Sequence, residues 1–311
     1  MFEKREYPEK SWSVSKMDIF ESCKRKYYYS TYAQWNGWEN DASTLSKKAY
    51  TLNKLGNVYS ALGTYLHTMI KNNILGMNMD SNTIYLNILG SIKEDCKNSF
   101  YKKEEWLKSP KSINMLHEYY YGNGLDKSLG KKIAQRVKVC SENIFNSKTY
   151  NELKDTKSKI FELDEESFNF FKYKNTKLYA ILDALYKIDD KIVIADWKTG
   201  KKDTAKHDIQ MIIYVMYVLS EYKDINIEKI ECVNEYLLTG ESYVRTFTYD
   251  EIKNVQKYID NSIEKIEEYL EDSEINKPKS MESFKANPGY SCKMCNFIEI
   301  CDEGKKFLKI K

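Results

Sequence analysis

Apolar residues in the first half of the chain recur every three or four positions. Over Leu55–Leu75 the stripe is Val58, Leu62, Leu66, Met69 and Ile70, which predicts an amphipathic helix. His67 lies beside that stripe and Gly63 one turn before it. Upstream, Ser15 reads as a helix N-cap, with Asp18 in the first turn and Val14 and Ile19 as a staple, for a helix running to about Tyr32. Residues 36–54 are polar and irregular. Residues 77–155 return to helical spacing (Ile133, Val137, Cys140, Ile144), with a break at Gly122-Asn123-Gly124, and read as a helical insertion. From residue 157 the period changes. Lys159–Asp164 is strand-like, and two more strands, Leu178–Ile188 and Ile192–Lys198, flank Asp189-Asp190. An apolar helix follows over His207–Tyr222. A strand pair, Ile227–Leu238 and Tyr243–Thr248, surrounds Thr239-Gly240-Glu241, and Asp250 caps a long helix to about Leu270. From Pro278 the tail is loop-like up to a group of cysteines. The order from residue 55 (helix, three strands, helix, strand) predicts an α/β core of helices on a mixed sheet, with helical embellishment.

The hairpin carries the candidate chemistry. With Asp189 and Asp190 as a two-residue turn, Ile188 pairs with Lys191 and, counting back, Asp183 with Asp196. Residues directly opposite in an antiparallel pair share a face, with Cβ atoms about 4.5–5.5 Å apart. Lys198, two residues past Asp196, shares that face. A three-residue turn would move Asp183 to the other side. Adjacent carboxylates raise each other's pKa unless a cation lies between them, and oxygen ligands with open positions suit Mg²⁺ or Mn²⁺. On spacing alone, a solvated strand face explains Asp and Lys equally well. The apolar neighbours, AIL-D-AL and IVIA-D-W, weigh against it, because a buried charge is costly without a partner or a metal.

Composition narrows the picture. A net charge of +3 means that nucleic-acid binding has to come from local basic patches. Two such patches are Lys24–Tyr29, where tyrosines could stack on bases unless the run is a solvated helix face, and Lys201-Lys202 beyond the hairpin. No apolar run is long enough to span a bilayer and MFEKREYPEKS has no apolar leader segment, so a cytoplasmic location is expected. There is no G-x₄-G-K-[ST] loop and hence no expected ATP site. Of seven cysteines, Cys96, Cys140 and Cys232 are isolated among apolar residues and read as core thiols. Cys292, Cys295 and Cys301 form C-x₂-C-x₅-C, which points to metal more than to a disulfide.

Taken in order, these residues resemble the PD-(D/E)XK nucleases, and within them the RecB-like branch with an iron–sulfur cluster. That branch includes the AddB nuclease domain and the CRISPR-associated RecB-like exonucleases. The resemblance rests on Ser13, Ser15 and Cys23 at the start, Gly63 and His67 on a helix, and Asp183 on a strand. Asp196-Trp197-Lys198-Thr199-Gly200, Gln210 with Tyr214 on the next helix, and the closing cysteines complete it. It covers most of the chain outside 77–155. Lys24 stands where the family often has Pro, and Ala180 where it often has Gly; neither position supplies a metal ligand.

The resemblance implies a restriction-endonuclease-like core in a single nuclease domain over 1–311. Residues 77–155 would be an insertion, and a cysteine-rich tail at 280–311 would pack with the 15–32 helix. It implies Mg²⁺ or Mn²⁺ held by His67, Asp183, Asp196 and the Trp197 carbonyl. Lys198 would orient water or stabilise transition-state charge, and Gln210 and Tyr214 would order the substrate side, although simple core packing explains Tyr214 equally well. Cys23, Cys292, Cys295 and Cys301 would hold one metal group. Four thiolates suit zinc or a 4Fe–4S cluster by spacing, and the family favours 4Fe–4S. The implied activity is that of a metal-dependent deoxyribonuclease, a single-strand-preferring exonuclease or end-processing enzyme. It would serve repair, CRISPR adaptation or phage defence, with DNA and a helicase or integrase-like protein as partners. The alternative is a non-catalytic iron–sulfur DNA-binding subunit of a helicase–nuclease or integrase complex. Retention of His67, Asp183, Asp196 and Lys198 argues against that alternative.

Overall fold

The computed structural model describes residues 5–155, 157–164, 169–223 and 225–310; the first four residues of the N-terminal stretch read above lie outside it. Its centre is a five-stranded sheet of β1 (Lys159–Leu163), β2 (Ala184–Ile188), β3 (Lys191–Lys198), β4 (Ile230–Tyr236) and β5 (Glu241–Arg245), which lie side by side in chain order. All neighbours are antiparallel except β3 and β4, which run parallel with a helix, Thr204–Glu221, as the crossover.

The continuous apolar character of β3 follows from burial on both faces. Ile192 and Ile194 pack with Leu185, Ile230 and Cys232 under the crossover helix and the Tyr249–Glu267 helix. Val193, Ala195 and Trp197 face the other way, into a cluster with Val58, Leu62, Leu66 and Ile70 of the Val58–Asn72 helix. The stretch read as an insertion supplies the rest of that second layer. Ile84 and Ile88 of Ser81–Tyr101, and Ile133, Val137, Cys140 and Ile144 of Lys127–Ile144, bury their stripes in the same cluster. A third cluster joins Tyr29, Leu52, Trp106 and Met115 to Phe297 and Cys301, so the two ends of the chain meet there. Among the described residues no helix is long and apolar enough to cross a membrane.

Several expected boundaries shift, each for a local reason. The first helix is capped by Ser13, whose hydroxyl accepts from the Lys16 amide, and not by Ser15. It stops at Ser22, because Cys23 takes extended backbone (φ −162°, ψ 110°). The chain resumes as a helix over Lys24–Tyr28 and a wide turn over Tyr29–Ala33. Part of the polar stretch is helical after all. Ser43 caps Thr44–Asn53, which buries only Ala49, Tyr50 and Leu52. Thr248, in a capping box with Glu251, starts the helix assigned to Asp250.

The expected strand Leu178–Ile188 is two strands. Thr176–Tyr179 belongs to a separate small sheet with Phe170–Tyr173 and Ser11–Trp12. The chain crosses from it to β2 through Ala180–Asp183. The Ala180 amide donates to the Asn169 carbonyl, and the Asp183 carbonyl accepts from the Asp164 amide, so the link is pinned at both ends.

The Lys24–Tyr29 run does not present a free basic face. Tyr27 and Tyr29 are buried. Buried Arg25 donates to the Phe284 carbonyl and lies 3.6 Å from Glu303. The Lys24 ammonium donates to the Phe20 carbonyl over the Phe20 ring. Arg25 thus joins the two ends of the chain, while Lys24 is held within its own segment.

Candidate functional site

The hairpin turn has two residues, as the site geometry requires. Ile188 pairs with Lys191, and the register runs back to Ala184 opposite Ala195. Asp189 takes φ 52°, in the left-handed region that Asp tolerates. One step further places Asp183, the last residue of the link, opposite Asp196. Asp183 lies just outside the ladder, so its carboxylate is free to turn inward. Its Oδ2 accepts from the Trp197 amide at 2.6 Å. Both aspartates are buried.

His67 arrives from the opposite layer. The apolar stripe fixes its helix against the sheet, with Gly63 facing Thr199. His67 Nδ1 then lies 3.0 Å from Asp183 Oδ1, and Nε2 lies 2.8 Å from the Trp197 carbonyl oxygen. Its side chain remains 26% exposed, which leaves an approach from solvent.

On the crossover-helix side, the Lys198 ammonium is 2.5 Å from Asp196 Oδ2 and donates to Gln210 Oε1 at 2.7 Å. Gln210 in turn donates to the Tyr214 hydroxyl at 2.6 Å. Tyr214 is both buried core and part of this chain, so its packing role and its site role coincide. The structure therefore brings the candidate metal ligands His67, Asp183, Asp196 and Trp197 near the candidate catalytic residues Lys198, Gln210 and Tyr214.

The electrostatics are those of a site short of positive charge. Burial works to lower the His67 pKa, but the charge and hydrogen bond of Asp183, the charge of Asp196 and the Trp197 carbonyl outweigh it, and the pKa rises to about 9. Burial raises the Asp183 carboxyl; His67 opposes that and the Asp196 charge reinforces it. Burial, then Asp196 and Asp183, hold the Tyr214 hydroxyl far above its ordinary range. Asp196 Oδ2 is buried and paired with the Lys198 ammonium. The Asp196 charge bears on the buried Asp183 carboxylate, and a divalent cation would offset that repulsion, so the donor set fits Mg²⁺ or Mn²⁺.

Two residues here escaped the sequence reading. Asp164, at the end of β1, places a carboxylate oxygen within 4.8 Å of ligand atoms of both His67 and Asp183. Its signal was present in KIFEL-D, a carboxylate closing a half-apolar strand, the pattern that singled out the other two. Asn234 sits opposite Asp196 in the parallel pair, buried and with Oδ1 unpartnered. No spacing could have revealed it, because the pairing is non-local.

The four cysteines also come together. Cys23, at the helix break, lines one small pocket together with Cys292, Cys295 and Cys301. Backbone amides reach the sulfurs: Asn287 to Cys23 and Gly289 to Cys292, each at 3.5 Å, with Phe297 and Gly304 serving Cys295 and Cys301. Gly304 leaves its side of the pocket bare; a Cβ there would meet Ile298 at 2.8 Å and lie 3.5 and 3.7 Å from the sulfurs of Cys301 and Cys292. Burial pushes the Cys295 thiol up to about 11, so a thiolate there calls for bound cationic charge.

A family model of the PD-(D/E)XK nuclease superfamily matches residues 11–302. No significant match was found among curated proteins. The matched segment contains both aspartates, the lysine, His67 and all four pocket cysteines, and on that coverage the chain belongs to the PD-(D/E)XK nuclease superfamily.

Proposed function

We propose that the protein is a metal-dependent deoxyribonuclease that hydrolyses phosphodiester bonds at DNA ends with a preference for single strands. What carries the reading is the convergence of His67, Asp183 and the Asp196–Lys198 pair at the open end of a hairpin with a two-residue turn. His67, Asp183, Asp196 and the Trp197 carbonyl would hold Mg²⁺ or Mn²⁺. Such an ion polarises the scissile phosphate and lowers the pKa of a bound water. Lys198 is fixed by Gln210 and stands beside Asp196, where its charge meets the negative charge that grows on the phosphoryl oxygens. Gln210 is fixed by Tyr214, whose hydroxyl stays neutral and able to donate. Purified protein, Mn²⁺ and end-labelled single- and double-stranded DNA test this. Metal-dependent cleavage is expected, and full activity of Lys198→Ala would overturn the mechanism.

The four-cysteine pocket is assigned a 4Fe–4S cluster in preference to zinc. Four thiolates suit either metal group, and the resemblance to the iron–sulfur branch favours the cluster. Amide donors to sulfur and a bare glycine wall also suit a bulky sulfide cluster. Iron and zinc analysis with a visible spectrum decides: a brown protein with iron supports the assignment, and stoichiometric zinc without iron rejects it. The cluster's role is to tie the N-terminal segment to the C-terminal tail. A place in repair, CRISPR adaptation or phage defence, beside a helicase or integrase-like partner, is part of the same proposal.

A further inference from the structure

We propose that the cleft beside the candidate metal site is a subsite for one unpaired nucleobase of the strand whose phosphate lies at that site. The inference rests on the nuclease reading above and specifies the form of its substrate. The cleft has a volume of about 420 Å³ and runs between the start of the first helix, the Tyr179–Ile181 segment and the crossover helix. That is the size range of small-molecule pockets. Its walls are apolar and aromatic: Val14, Tyr179, Ile181 and Ile213, with Tyr214 at its base. Its rim is polar, with the Ser13 and Ser15 hydroxyls 3.1 Å apart, Gln210, and exposed Lys206 in an ion pair with Asp18.

Continuity with the metal site is what selects a base as the occupant. Gln210 and Tyr214 line the cleft and also hold Lys198, so a phosphate at Asp183 and Asp196 places the adjoining nucleotide at the cleft mouth. Ile181 is 44% exposed and lies two residues before Asp183, on the link pinned at both ends between the two sheets. An apolar side chain is thus held open to solvent next to the reacting centre. A flat, weakly polar base suits such walls, and hydroxyls that both donate and accept can meet the edge of any base. A duplex keeps its bases stacked inside and offers only sugar and phosphate here. An unpaired end pays no unstacking cost to enter.

The test uses the whole protein with Mn²⁺ and two single-stranded oligonucleotides of equal length, one of thymidines and one of abasic residues. Wild type is expected to cleave the thymidine strand about tenfold or more better, the size of one base–aromatic stack. Ile181→Asp is expected to erase that preference by raising KM for the thymidine strand, and Ile181→Leu to keep it. Equal kcat/KM on the two strands for wild type overturns the subsite, whatever happens to the variants. Anisotropy binding to Asp196→Asn without metal separates the two readings. A thymidine preference there, with no metal-dependent cleavage by wild type, sinks the nuclease reading and keeps the subsite. Cleavage without any base preference does the reverse.

Discussion

Asp183 and Asp196 face each other across one hairpin, whereas Cys23 and Cys301 stand at opposite ends of the chain. Apart from Asp183, on the pinned link, the candidate metal-site residues project from strands and helices whose other side chains fill two large apolar clusters, so the fold itself positions them. The cysteines instead sit on a helix break, two short 3₁₀ turns (Tyr290–Met294 and Ile298–Ile300) and the edge of a seven-residue helix, Asp302–Leu308. Their apolar support is the small third cluster. One site is therefore preorganised by the fold and burdens it with buried charge. The other rests on short segments, and the proposed cluster would join them by bridging the four sulfurs.

The largest expected effect tests that contrast at the cysteines. Closing a loop from Cys23 to Cys301 is worth about 5 kcal/mol in the chain-entropy picture. Cys23→Ala should lower Tm by roughly 10 °C or more, measured by thermal denaturation, and bleach the visible spectrum. An unchanged Tm would mean that apolar packing alone joins the ends. At the metal site the same kind of deletion should act the other way. Asp196→Ala and Lys198→Ala should each cut metal-dependent cleavage by about a hundredfold or more. Asp196→Asn should leave Tm unchanged or higher, since it relieves the repulsion with the buried Asp183 carboxylate while Lys198 keeps Gln210 as a partner. A sharp fall in Tm for Asp196→Asn would show that the carboxylate supports the fold.

The same contrast explains what the sequence made legible. Asp183, Asp196 and Lys198 could be found because a hairpin is local: turn length sets register, and register sets face. His67 and the cysteines needed the family pattern, since nothing within their own segments says which distant residues they meet. The link at Ala180–Asp183 stayed hidden because LYAILDALYKI, apolar but for Asp183 and Lys187, reads as one continuous buried strand. Only pairing with two different sheets, through Asn169 and Asp164, divides it. The helix break at Cys23 was masked in the same way, by helix-forming residues on both sides. Thr44–Asn53 was missed because a short helix that buries three residues carries little periodicity. The face of Asn234 depends on the parallel pairing of β3 and β4 across a crossover, which no local pattern encodes.

Asp164 gives a smaller effect on the metal side. Its carboxylate approaches ligand atoms of His67 and Asp183, and its amide holds the Asp183 carbonyl at 2.7 Å. Asp164→Asn keeps the backbone contact and removes the charge. Mn²⁺ affinity, followed by calorimetric titration, should fall about tenfold, the scale of a group that supports ligands without being indispensable. Unchanged affinity would assign Asp164 to the backbone role alone.

The smallest effects come from one glycine in each region. A Cβ on Gly63 would meet only Thr199 Oγ1, at an ordinary 3.5 Å. Gly63 lies inside a helix, so Gly63→Ala should stabilise by about 0.5–1 kcal/mol and raise Tm by about 1 °C. A Cβ on Gly304 points at two cysteine sulfurs and 2.8 Å from Ile298 Cδ1, a flexible chain end that can give way. By helix propensity alone Gly304→Ala should stabilise equally. With a cluster in the pocket, the added methyl competes for its space, and bound iron and Tm should both fall. A Gly304→Ala variant that gains stability and keeps its iron would place the cluster's bulk away from this wall, so the sign of one methyl group's effect reports where the bound group sits.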